Sequence, residues 1–458
     1  METDKYSQRK IIEFISNHFN KNVAFVKFLT SYEDKVALVK DMSPLCSASM
    51  YILKIFLLKK KKEIFQERTS IVQSLEQKGF LCSSFLVGVN GNCIQEFDTG
   101  EEKHLCLLYT YLEGQEFENV ADLNDPKTIF ELGAFLGLLH KALEDVPHDA
   151  LEPDPLDPWL LCNVHLLGNQ EHLLNIMNVD LRLKLEKIIN RAEKKLAALS
   201  GDLKKGVVHG DFHTLNIIVN EMMPSFLNRI NCGHNKDKLS QGRPTHQGSV
   251  EFLLNCLREA NTETCNLDVK KLLSRYGIID FGEMIYTFQI LEVGRIIADL
   301  MVTIVILNTK SNKQVREESN QATPDVKADT AEAQDLSEVR LGARELAGDG
   351  SCREVLNSSA QRNIGINFPN IMSVGGYILK GYHKTNGVSV QEMEVLKDSV
   401  MVSLAQYILL VGISTEDRAE CFEYNVLCQK AAELLLIELS DVSPDTFYVA
   451  WADAALQC

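Results

Sequence analysis

The chain has 458 residues, with 63 Asp and Glu against 47 Lys and Arg and a formal charge of -16. That length suits a large core in two lobes, and the absence of a basic stripe argues against a nucleic-acid partner. Twelve cysteines without a C-x-x-C pair and an N-terminus, METDKYSQRK, without an apolar h-region argue against a zinc site, a disulfide framework and secretion, and point to a cytoplasmic protein with reduced thiols.

In chain order, apolar spacing predicts a helix over Tyr6–Phe19, strands at VAFVKFL and KVALVK, a strand at YILKIFLL, a helix from Ile64 to Lys78, and a strand at LCLLYTYL. Lys54 lies inside the third strand. A lysine in an apolar strand is costly unless it meets an anion, so Lys54 is the candidate to reach a nucleotide's phosphates, with Glu67 on the next helix as its expected ion-pair partner. LEGQEF, around Gly114, reads as the crossing into a second lobe, so the expected division is 1–112 and 113–458.

The second lobe opens on the helical pattern IFELGAFLGLLHKAL, whose Leu132, Phe135, Leu136 and Leu139 share a core face. A proline-rich loop, DALEPDPLDP, and a helical stretch from Leu181 to Leu199 follow. Next comes HGDFHTLN, His209–Asn216, and later DFG, Asp280–Gly282. This ordered pair fits phosphoryl transfer: Asp211 would position an attacking hydroxyl, and Asn216 and Asp280 would supply oxygen ligands to Mg²⁺ on the donor's phosphates. GVVHG, NIIVN and YGIID flank the loops as short β-branched strands, which would hold the catalytic groups on a rigid frame. His209 is expected to brace the loop by hydrogen bonding.

Two polar stretches, 221–274 and 308–363, interrupt the plan. They are expected to be flexible insertions, the first with a short helix near Val250–Glu259, because they carry too little apolar content to fold alone. IIADLMVTIVIL, Ile296–Leu307, is too short to span a bilayer and contains Asp299, so it reads as a buried helix and no membrane association is expected. MSVGGYILKGY and the two apolar runs after it read as helices closing the second lobe.

At HGD-x-x-x-x-N and DFG the chain resembles the aminoglycoside phosphotransferase and choline kinase superfamily. Through SYEDKVALV, YILKI, LLYTYLEG, YGIIDFGEM with Glu292 downstream, and VGGYILKGY, it is similar within it to the hydroxylysine kinase family. The resemblance implies a bilobal, protein-kinase-like α+β fold with a small β-rich nucleotide lobe and a large, mainly helical lobe. It implies Asp211 as catalytic base, Asn216 and Asp280 as metal ligands, Mg²⁺ as cofactor, GTP (or ATP) as donor and an amino alcohol, 5-hydroxy-L-lysine, as acceptor. Glu283 and Glu292 are the candidates to meet the acceptor's ammonium groups. Val36 stands where family members typically carry asparagine, in the hairpin expected over the phosphates. A choline, ethanolamine or aminoglycoside kinase, or a silent kinase-like scaffold, remain the alternatives.

Overall fold

The computed structural model describes residues 5–31, 34–43, 49–58, 61–169, 178–220, 246–262, 267–321, 368–411 and 422–457. The chain divides into two compact units, Met1–Thr303 with Pro369–Cys458, and Ile304–Phe368. All functional candidates lie in the first.

The first unit begins with helix α1 (Gln8–Phe19), whose Ser7 cap accepts from Lys10 N and whose stop is Asn20 in the left-handed region at φ 51°. Its Ile11, Phe14, Ile15 and Phe19 are buried and cover one face of a five-stranded antiparallel sheet. The strands are β1 (Val23–Leu29), β2 (Lys35–Asp41), β3 (Met50–Ile55), β5 (Gln95–Asp98) and β6 (Lys103–Thr110), in the order β1-β2-β3-β6-β5; the two-residue β4 (Leu81–Cys82) belongs to a second sheet. Strand alternation sorts β3: Tyr51, Leu53 and Ile55 enter the core with α1, so Ile52 and Lys54 point to the opposite face. Helix α2 (Lys62–Gln77) covers part of that face through Phe65, packed with Leu107 and Tyr109. Val36 pairs with Lys54 in register and so shares its face.

Two strand ladders then set two loops side by side. In the second sheet β9 (Ile217–Val219) lies between β7 (Gln115–Glu116) and β10 (Tyr276–Ile278), and β10 also pairs with β4; elsewhere β8 (Lys205–Val208) pairs with β11 (Ile285–Phe288). Val208 is opposite Ile285 at one end and Ile217 opposite Ile278 at the other. Residues 209–216 and 279–284 are therefore closed by a ladder at each side.

The helical part is built around α4 (Pro126–Ala142), which follows the single turn α3 (Phe117–Val120), and α5 (Val179–Leu199). It also contains α8 (Gln289–Gln321), α9 (Phe368–Thr385), α10 (Val390–Leu409), α11 (Phe422–Ser440) and α12 (Pro444–Gln457). In VGGYILKGY the paired glycines are a packing device: a Cβ on Gly376 would come within 2.2 Å of the Trp451 carbonyl oxygen in α12.

The first expected insertion is narrower than its polar composition suggested. Residues 246–262 form helix α6 (His246–Thr262), and Val269–Arg275 form α7. Val250, Leu253, Leu254, Leu257 and Ala260 recur at helical spacing and are buried, and Ser249 donates to Asp445 of α12 at 2.7 Å. That apolar stripe is what turns the segment into a packed element. Residues 221–245 and most of the second expected insertion lie outside the described residues, as do Tyr32 and Glu33 of SYEDKVALV. Among the described residues no helix is long and apolar enough to cross a membrane.

Candidate active site

Lys54 crosses from β3 to the DFG loop. Its Nζ lies 2.8 Å from Asp280 Oδ1 and 3.4 Å from Asp34 Oδ2. Burial opposes charge on Lys54, but Asp280 and Asp34 outweigh it and raise its pKa. Burial likewise opposes ionising Asp280, and Lys54 beside it holds the carboxyl below its ordinary value. At Asp34, farther from the shared lysine, burial dominates and raises the pKa. Asp280 has φ 59°, a left-handed conformation that aspartate tolerates better than most residues, and it caps the short 3-10 turn Phe281–Glu283 by accepting from Gly282 N at 3.3 Å.

The expected Lys54–Glu67 pair does not form. Glu67 instead accepts from Ala150 N at 2.7 Å, because the helical rotation that buries Phe65 and Arg68 turns Glu67 toward the 148–151 loop. The residue α2 sends inward is Arg68: its Nη2 donates to the Met284 carbonyl at 3.2 Å, while Nε and Nη1 have no hydrogen-bond partner. Burial lowers its pKa, with Glu283 and Asp280 among the acids opposing the shift. Arg68 stands at i+3 from Phe65 and i−3 from Ile71 on the buried face, a periodic signal that the sequence reading passed over.

In the His209–Asn216 loop the structure brings Asp211 and Asn216 together: Asn216 Nδ2 donates to Asp211 O at 2.9 Å and to Oδ2 at 3.0 Å, which leaves the amide oxygen as the group able to face a cation. His209 Nε2 donates to the Ile279 carbonyl at 3.0 Å; in return Ile279 N donates to Asn216 O at 3.0 Å. Gly210 has φ 83°, and a Cβ there would lie 1.9 Å from the Glu283 carbonyl oxygen, so only glycine lets the two loops touch. His213, unassigned from sequence, places Nε2 3.3 Å from Asp211 Oδ2. Burial opposes charge on both; each outweighs it for the other, with Asp211 held well below the carboxylate range and His213 pushed up to about 9. Charging His213 also costs the hydrogen bond its Nδ1 accepts from Leu215 N at 3.2 Å.

Helix α8 grips this loop from behind with residues at i, i+3 and i+7. Glu292 accepts from His209 N at 3.2 Å and from Gly210 N at 2.6 Å. Arg295 donates to Gly210 O at 3.1 Å and stands 3.8 Å from Asp211 Oδ1. Asp299 accepts from Thr214 N at 3.0 Å and from Tyr407 Oη at 2.9 Å. The assignment of Glu292 to an acceptor ammonium is thereby corrected: its side chain is 3% exposed and its oxygens are occupied by the loop and by His140 Nε2 at 2.7 Å. Burial opposes its charge, and those hydrogen bonds keep its pKa low. Glu283 is half-buried beside the loop, close enough to Asp157 to help burial raise that carboxyl's pKa. A cleft under Gly210 is lined by Trp159, Leu160, Cys162, Ile285, Thr287 and Arg295.

Residues 47–225 match the model of the phosphotransferase enzyme family. Hydroxylysine kinase of Mus musculus is 22% identical over 308 residues, 65% of this chain and 70% of that protein. Hydroxylysine kinase of Bos taurus is 23% identical over 225 residues, 47% of this chain and 59% of that protein. A microcompartment-associated aminopropanol kinase has a similar fold, with a TM-score of 0.51 at 11% identity over 96% of this chain and 99% of that one. With an α+β, kinase-like fold, a matched phosphotransferase region and relatives named hydroxylysine kinase, the chain is a phosphotransferase that acts on a hydroxyl group, and it resembles hydroxylysine kinase.

Proposed function

We propose that the chain transfers the γ-phosphoryl group of GTP, or of ATP, to the hydroxyl of 5-hydroxy-L-lysine. The observation that carries this reading is the convergence of Asp211 and Asp280 on adjoining clamped loops, with Lys54 already bonded to Asp280. The acceptor and the guanine base are drawn from the resemblance and from the relatives' names. Six described cysteines are free thiols, in keeping with the reducing cytoplasm.

The residues suit a hard divalent cation. Asp280 is 44% exposed at its side chain, and Asn216 adds an amide oxygen on the neighbouring loop. Among the described residues no three His, Cys, Asp or Glu side chains form a ready-made metal cage, and a kinase site needs none, because phosphate oxygens and water complete the shell. Bound there, Mg²⁺ would neutralise charge on the transferring phosphoryl group. Lys54 would exchange part of its contact with Asp280 for phosphate oxygens. Asp211, too acidic to hold a proton at neutral pH, would orient the acceptor hydroxyl rather than strip it early, which is what a loose transition state requires. Glu283, with Asp157 beside it, would face an acceptor ammonium. Val36, on the Lys54 face of the sheet, offers no side-chain donor, so backbone groups of the hairpin would have to serve there.

The test is a panel of amino alcohols offered with GTP or ATP and Mg²⁺, reading nucleoside diphosphate release. 5-Hydroxy-L-lysine should turn over and lysine should not, with GTP the better donor. Turnover of choline, ethanolamine or an aminoglycoside with hydroxylysine inert at millimolar concentration would overturn the acceptor while keeping the reaction class.

A further inference from the structure

Behind Glu292 a buried polar chain continues to the surface, and the hydrogen-bonding capacity of each member fixes its direction. Lys204 Nζ, which can only donate, meets Asn386 Oδ1 at 2.8 Å. Asn386 Nδ2, also only a donor, reaches Tyr382 Oη at 2.6 Å and Gln289 Oε1 at 3.0 Å. Asn386 Nδ2 cannot accept, so the one proton of Tyr382 Oη has His140 Nδ1, at 2.9 Å, as the acceptor among its hydrogen-bond partners. Nδ1 is then bare, the ring proton sits on Nε2, and Nε2–H donates to Glu292 Oε2 at 2.7 Å. Glu292, left with accepting oxygens only, takes the Gly210 and His209 amides. His140 and Gln289 are 0% exposed, Tyr382 2% and Glu292 4%, whereas Lys204 at the far end is 38% exposed at its side chain.

We propose that Tyr382, Asn386 and Lys204 are positioning residues for phosphoryl transfer: a one-way hydrogen-bond chain that locks His140 in its Nε2–H tautomer and so keeps Glu292 an acceptor aimed at the backbone that carries Asp211. If the polarity reversed, a bare His140 Nε2 and Glu292 Oε2 would face each other as two acceptors, or Glu292 would take a proton to donate to Nε2 and lose the charge with which it accepts the His209 and Gly210 amides. Either would loosen the hold on Gly210, whose contact with Glu283 sets the separation of the two loops. The chain also assigns work to the tyrosine that ends VGGYILKGY, which lies outside the site itself.

The kinetic arm of the test rests on the phosphotransfer reading; the spectroscopic arm does not. With histidine labelled in nitrogen-15, the His140 signals of the intact protein should show a bare Nδ1 and a protonated Nε2. Tyr382→Phe removes the hydroxyl alone and should mix the tautomers and lower kcat by about 10- to 100-fold, with KM for nucleotide and acceptor within about twofold. Lys204→Met, at the half-exposed end where no buried cavity results, should change kcat in the same direction by about threefold, and it stands in if Tyr382→Phe does not fold. A His140 ring protonated on Nδ1 in the wild type, or an unchanged kcat in both variants, overturns the proposal. So does a loss that tracks only the fraction of unfolded protein.

Discussion

Behind the His209–Asn216 loop, α8 holds three backbone amides and one carbonyl with Glu292, Arg295 and Asp299; in front of it a largely buried Lys54 meets Asp280 through a pair open to solvent on the Asp280 side. The Glu292 side chain is 3% exposed and that of Asp280 44%. Desolvated, fully partnered hydrogen bonds are costly to break, because the orphaned groups have no water to turn to. An ion pair that meets water on its carboxylate side can exchange that partner for another anion without leaving the buried lysine unpaired. The site thus has a fixed rear frame and an exchangeable front, and only the front needs to rearrange when anionic phosphates arrive.

The largest effect should come from the residue between the two. Asp211→Asn preserves shape and the Asn216 contact region but removes the carboxylate facing the acceptor, so kcat should fall on the order of a thousandfold or more while nucleotide affinity persists. Single-turnover phosphoryl transfer and nucleotide titration measure the two quantities, and near-normal turnover would place the catalytic group elsewhere.

Next come two substitutions that should separate rear from front. Glu292→Gln puts an N–H₂ group where three donors converge and should lower stability by about 2–3 kcal/mol, with kcat falling on the order of a hundredfold. Asp280→Asn keeps a residue type that tolerates the left-handed backbone. It should cost less stability than Glu292→Gln, because the Asp280 side chain is 44% exposed and Lys54 keeps Asp34 beside it, yet abolish most of the Mg²⁺ dependence of nucleotide binding. Chemical denaturation and metal-dependent nucleotide titration of both variants decide the matter. Equal loss of stability in the two would dissolve the distinction between frame and front.

What the sequence made legible follows the same division. The front was readable because its residues stand in fixed spacings with turn and strand signals around them: Asp211, Asn216 and Asp280 from the two motifs, and Lys54 from its cost in an apolar strand. The rear was hidden. Glu292 looked like a substrate-facing charge, Arg295 carried no assignment, and Asp299 entered only as a reason to reject a membrane span, although E-x-x-R-x-x-x-D at i, i+3 and i+7 in an otherwise apolar helix is itself a signal of buried polar partners. The helix α2 misled for a different reason. Glu67 and Arg68 are neighbours in sequence, and a rotation of about 100° per residue decides which faces inward; the burial of Phe65 and Ile71 settles it for Arg68. In 246–262 the apolar stripe was present but short, and the polar composition around it outweighed it in the reading.

The smallest effect should be electrostatic and confined to the loop's own pair. His213 sits above its ordinary value because of Asp211, at about 9 against about 6.5 in an unfolded chain. A histidine whose pKa is raised by folding contributes stability that is fully present below about pH 6.5 and is lost as pH rises through about 9. His213→Gln keeps a side-chain N–H for Asp211 but cannot carry the charge. Wild type should therefore be the more stable protein near pH 6, and the two should converge toward pH 9.5. Because the Asp211 side chain is 37% exposed, solvent screens the pair and the difference should be on the order of 1 kcal/mol. The convergence should be visible in denaturant midpoints measured from pH 6 to 9.5 at fixed ionic strength. A constant gap across that range would mean that His213 is already neutral at pH 6 and touches Asp211 only as a hydrogen-bond donor, which would make the loop part of the fixed frame rather than the hinge between frame and front.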